Sequence, residues 1–133
     1  MPAKRNIVKL DVGLPIFTVI GISSHENDYR LSWSINEQTG LEFAQSESLV
    51  TDDGRNFTRF VHEDGDRVLI LISNRCDNGF LLEKYKNFDF ILKFDTELTT
   101  TELSVWMRDL KNVPLISAIF PIPLNKQLFQ ILT

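Results

Sequence analysis

A single cysteine, Cys76, occurs in 133 residues. It excludes an internal disulfide and any CxxC metal or redox pair, and it fits a reducing compartment. The two histidines, His25 and His62, stand in no HExxH arrangement, so no metal centre is expected. GxGxxG and GxxxxGK[ST] loops are missing, as is a GxSxG nucleophile elbow, so the chain offers none of the common nucleotide or acyl-transfer sites, and no cofactor is expected. No apolar run approaches the ~18 residues of a membrane span. The start, MPAKRNIVKLDVG, lacks the apolar stretch of a signal peptide. Basic residues are scattered, and 14 of them against 18 acids leave a net charge of −4. Phosphate contacts dominate nucleic-acid affinity, so neither nucleic acid nor membrane is expected as a partner. The expectation is a cytoplasmic protein.

The chain is 43% hydrophobic and 24% charged, the mix of a globular domain, and its length suits one domain over 1–133. Ten phenylalanines point to a bulky interior. Residues 5–12 read as an edge strand, closed by a turn at Gly13 and Pro15, and the β-branched run 16–23 as a more buried strand. Between 28 and 39 two periodicities compete. Tyr29, Leu31, Trp33 and Ile35 alternate as in a strand, yet Leu31, Ile35 and Gln38 share a helical face, Asp28 suits an N-cap and Gly40 a left-handed C-terminal residue. The helix reading is preferred. Residues 41–45 read as a short strand and 46–56 as a loop. A hairpin follows over 57–63 and 67–73, turning at Asp64-Gly65, and its apolar second strand belongs in the middle of a sheet. Asp77-Asn78-Gly79 marks another turn, and FLLEKYKN an extended stretch.

The strand FDFILKF should direct Phe88, Phe90, Leu92 and Phe94 to the core and Asp89, Ile91 and Lys93 to a wetter face. Thr99 to Glu102 forms a capping box ahead of an amphipathic helix over 99–110, which Pro114 stops before a last strand at 115–122. These elements predict an α+β fold. The expected form is a two-layer sandwich with a largely antiparallel sheet, at least two helices on one face, and a C-terminal strand–helix–strand unit like half of a ferredoxin-like fold.

Gly21-Ile-Ser-Ser-His25, then Asp28-Tyr-Arg-Leu31 and Trp33, then Asn74 and Asn78-Gly79-Phe80, and finally Phe88-Asp89-Phe90 in the place of Val-Asp-Tyr, carry a resemblance over about residues 16–124. In order and spacing the chain resembles a bacterial family named for an IPExxxVDY motif. The resemblance implies a small α+β protein without an assigned activity and transfers no catalytic residue.

Two groups remain as candidates. Ser24, His25, Asp28 and Arg30 sit with Ser23 where a strand hands over to a helix, a place that favours anions. Leu124, Leu128, Phe129, Ile131 and Leu132 crowd the last ten residues and must dock on their own domain or on another chain. Asp89, between two phenylalanines, is either a covered acid or part of a wet face. The favoured expectation is a non-enzymatic interaction or regulatory module that binds another protein or forms a homodimer. The alternative is a small anionic-ligand binder or enzyme built on the His25–Arg30 corner.

Overall fold

Strand Phe90–Phe94 runs near the middle of a six-stranded sheet and organises everything around it. The computed structural model describes residues 16–65 and 67–132; the expected strand at 5–12 and the turn at Gly13 and Pro15 lie outside them. In chain order the elements are β1 (Thr18–Ser23), α1 (Asp28–Thr39), β2 (Ala44–Val50), β3 (Asn56–Asp64), β4 (Arg67–Ser73), the two-residue strands β5 (Arg75–Cys76) and β6 (Gly79–Phe80), a 3₁₀ turn (Glu83–Tyr85), β7 (Phe90–Phe94), α2 (Thr100–Lys111), β8 (Ala118–Ile122) and α3 (Lys126–Leu132).

The sheet order is β2-β3-β4-β7-β1-β8, with every pair antiparallel. β7 and β8 both run against β1, so they are parallel to each other with β1 between them, and α2 makes the crossover. The strand–helix–strand unit is therefore a split one. The chain has the expected α+β sandwich architecture.

Both faces of the sheet are buried. On one, Ile20, Ile22, Phe60, Leu69, Leu71, Phe90, Leu92 and Phe94 meet Leu31 and Ile35 of α1 and Leu110 of α2. On the other, Val19, Phe57, Ile72 and Ile91 are covered by Leu81, Leu82, Phe88 and by Leu128 and Leu132 of α3. Each fully buried Leu, Ile or Phe contributes about 1.5–3 kcal/mol. Burial on both faces explains the unbroken apolar run of β4.

Four local expectations change. The N-cap of α1 is Asn27, whose Oδ1 accepts from the Arg30 N–H at 2.9 Å; Asp28 is the first helical residue and accepts from the Thr58 hydroxyl instead. The cap lies one residue earlier because Asn27 is the last residue with extended backbone. Residues 46–50, read as loop, continue β2, an edge strand whose pairing is interrupted by a bulge between Ser46 and Leu49. A one-sided, exposed strand needs no apolar alternation, so its polar sequence concealed it. FLLEKYKN is not extended but folds through the 3₁₀ turn. Phe88 and Ile91 also depart from the expected alternation: regular pairing in β7 starts only at Phe90, so the Phe88 ring swings to the opposite face. Ile91, expected to be partly wet, lies fully buried beneath α3 and the 81–88 segment.

Candidate functional site

Two asparagines and a glycine set the geometry around the sheet. Asn74 follows β4 and is fully buried. Its Nδ2 donates to the carbonyls of Tyr85 (3.1 Å) and Phe88 (2.9 Å), and its Oδ1 accepts from the Leu82 N–H (2.7 Å). One side chain thus satisfies three backbone groups of the 82–88 segment that no strand would satisfy. Asn36 does the same for the link from α1 to β2, donating to the Phe43 carbonyl and accepting from the Phe43 N–H. Gly21 lies under the Phe88 ring, with no room for a β-carbon.

The strand-to-helix corner at 23–30 is occupied by its own bonds. The Ser24 N–H donates to Asp89 Oδ2 at 2.8 Å, and the Ser24 hydroxyl accepts from the Glu26 N–H. Asp89 also pairs with Arg75, tying this corner to the β5–β6 hairpin. Asp28 accepts from the Tyr29 N–H and from Thr58. Arg30 pairs with Glu26 at 2.9 Å. His25 is exposed and has no hydrogen bond or ion pair among the described residues. Three surface grooves lie elsewhere: about 640 Å³ between the end of β2 and α3, about 470 Å³ between the C-terminal part of α1 and α2, and about 300 Å³ over the end of the β3–β4 hairpin. Ser24, His25, Asp28 and Arg30 are close in sequence but line none of these three.

The apolar tail folds as α3, with the Asn125 side chain accepting from the Leu128 N–H at its start. Leu128 and Leu132 are buried; Leu124, Phe129 and Ile131 are half-buried against the same cluster. Phe129 stacks on Phe17 with centroids 5.7 Å apart. Lys93 crosses from β7, lies over the Phe17 ring at 4.6 Å and donates to the Leu132 carbonyl. Burial holds its ammonium below the ordinary lysine value; Arg59 pushes the same way, while Asp95 opposes them. Among the described residues no three His, Cys, Asp or Glu side chains gather as a metal site, and no helix is long and apolar enough to cross a membrane.

What remains conspicuous is on the outer ridge of α1. Tyr29 and Trp33, one turn apart, are 65% and 61% exposed. Leu31 and Ile35 take the opposite side of the helix into the core. The signal was present in the sequence, since a 3.6-residue period that buries Leu31 and Ile35 must turn Tyr29 and Trp33 outward. The edges are poorer surfaces for a partner: β8 carries Pro121 and is followed by Pro123, and β2 is bulged and carries Glu47. The fold and its exposed ridge thus define an α+β domain with a helix-borne aromatic pair. Compared with known proteins, the chain matches no family model and no curated protein.

Proposed function

We propose that this protein is a non-enzymatic interaction module that binds another protein through the Tyr29–Trp33 ridge of α1. The observation that carries the reading is the exposure of two large aromatic side chains at i and i+4 of one helix. Tyr and Trp are over-represented among residues that dominate binding energy, and a helix presents them at low entropic cost. The Tyr29 ring also leans edge-on against Phe60, 5.8 Å between centroids, so part of the ridge is held in place. Arg30, Glu26 and Glu37 border it as a polar rim. The partner is a different protein; a second copy of this chain is the competing outcome. We further propose that the chain is a cytoplasmic member of the IPExxxVDY family. In support, several residues of that resemblance act together here: Gly21 receives the Phe88 ring, Ser24 meets Asp89, and Asn74 organises the segment that leads to Phe88.

The test is affinity co-purification of a tagged copy from its native cells, with complex mass measured by light scattering. Three forms are compared: wild type, Tyr29→Ser with Trp33→Ser, and His25→Ala. The expected result is a stoichiometric second protein that only the aromatic double variant loses. Retention by that variant, or loss in His25→Ala alone, contradicts the proposal. Deleting residues 124–133 is a poor handle because it strips Leu128 and Leu132 from the core.

A further inference from the structure

The polar face at the end of the β3–β4 hairpin has a use that its fold does not require. In the ladder His62 faces Leu69 and Asp64 faces Arg67. Alternation places all four on the side of the sheet that α1 and α2 cover, with Phe60 and Leu71. Leu41, from the link after α1, and Trp106 of α2 wall this floor, and a groove of about 300 Å³ stays open between them.

His62 is the anomaly: a polar ring only 8% exposed, on the same face as the buried Phe60, Leu69 and Leu71. Its Nδ1 accepts from the Glu42 N–H at 3.0 Å. A ring nitrogen that accepts carries no proton, so in the neutral imidazole the N–H is at Nε2. His62 lines the groove, and no described residue accepts a hydrogen bond from its Nε2. Next to it, Arg67 approaches Glu102 Oε2 only to 4.0 Å, beyond hydrogen-bond distance, and its guanidinium makes no hydrogen bond among the described residues. The guanidinium therefore has donors to spare.

We infer that this groove binds a small organic monocarboxylate, with His62 Nε2–H and Arg67 holding the carboxylate and Leu41, Leu69 and Trp106 contacting its apolar body. A planar fork beside a single N–H donor matches the two oxygens of a carboxylate. The volume is at the small end of ligand sites and suits a body the size of one ring. Asp64, exposed at the rim, repels a second negative charge and so disfavours phosphate esters and dicarboxylates. The inference does not depend on the α1 ridge.

The test is an amide NMR titration of labelled protein with benzoate, with benzyl alcohol as the uncharged counterpart and inorganic sulfate as the bare anion. Expected are saturable shifts confined to residues 41–42, 62–69 and 102–106 for benzoate alone, with a dissociation constant of about 1 mM, within reach of so small a ligand. Arg67→Met, a change at a half-exposed position that leaves the rest of the spectrum in place, weakens binding by about tenfold or more. The inference is overturned if benzoate gives no saturable shift, if benzyl alcohol or sulfate reproduces its shifts, or if Arg67→Met binds benzoate as well as wild type.

Discussion

Replacing Gly21 by alanine tests how tightly the second face of the sheet is packed. A β-carbon at this position would come within 2.6 Å of Phe88 Cδ2, 2.7 Å of Cγ and 2.9 Å of Cε2. Real β-carbons do not approach so closely, and the ring has little room to retreat, because it stacks on Tyr85 and leans against Phe120. Overpacking of this kind costs about 1–3 kcal/mol. For a domain of this size that corresponds to a fall in Tm of roughly 4–12 °C. Without the clash the sign reverses, since alanine in a strand is better than glycine by about 0.5–1 kcal/mol. The decisive experiment is therefore a double-mutant cycle measured by urea denaturation. Phe88→Ala alone should cost about 3–5 kcal/mol. In that background Gly21→Ala should become neutral or stabilising, giving a coupling energy of about 1.5–3 kcal/mol. If Gly21→Ala is harmless in the wild type, or costs the same in both backgrounds, the packing argument is wrong.

Further outcomes follow from the same geometry. Asn74→Ala leaves the Phe88 carbonyl and the Leu82 N–H without this partner, while the Tyr85 carbonyl keeps the Phe88 N–H, so it should destabilise by about 2 kcal/mol or more; Asn74→Asp should not rescue it, because a carboxylate cannot donate to Tyr85 and Phe88, and a loss under about 1 kcal/mol in denaturation would sink the hub assignment. Burial holds Lys93 below its ordinary value of 10.5. Between its folded value and 10.5 the unfolded chain binds more protons, so stability should rise with pH in that window; Lys93→Met should flatten the rise, and an unchanged slope in the variant would contradict it. The Thr99 backbone N–H, more than the Thr99 hydroxyl or Arg67, holds Glu102 below its ordinary 4.5. Its contribution is therefore present above 4.5 and lost as pH falls through the folded value, a slope that Glu102→Gln should remove from acid denaturation curves.

How much of this was legible beforehand depended on how local the signal was. The α2 capping box, the Gly65 turn and the left-handed Gly40 are written in adjacent residues, and all three hold. The helix at 28–39 was readable once Gly40 was weighed against the strand-like alternation. β2 was not, because its pairing depends on a partner strand rather than on its own composition. Alternation extended two residues beyond the start of regular pairing puts Phe88 on the wrong face. The same limit governs the sites. Ser24, His25, Asp28 and Arg30 are neighbours in sequence, and the structure spends all but His25 on internal bonds. The groove of Leu41, His62, Arg67 and Trp106 joins residues up to 65 positions apart, which no local pattern reveals.

The architecture also explains why α1 is suited to present a surface. Its inner side is fixed by Leu31 and Ile35 in the core, its start by Asn27 and the Asp28–Thr58 bond, and its end by Gly40 and Asn36. A helix anchored at both ends keeps Tyr29 and Trp33 in a set relation, and little ordering entropy remains to be lost when a partner covers them.

The most direct measurement of the central proposal is the affinity of the co-purified partner for wild type and for Trp33→Ala, by calorimetric titration. Truncating a residue at the centre of the interface is predicted to raise the dissociation constant about 30-fold or more, with Tm unchanged because Trp33 is exposed. An affinity equal to wild type would show that the partner binds elsewhere and would contradict the α1 ridge as the interaction surface.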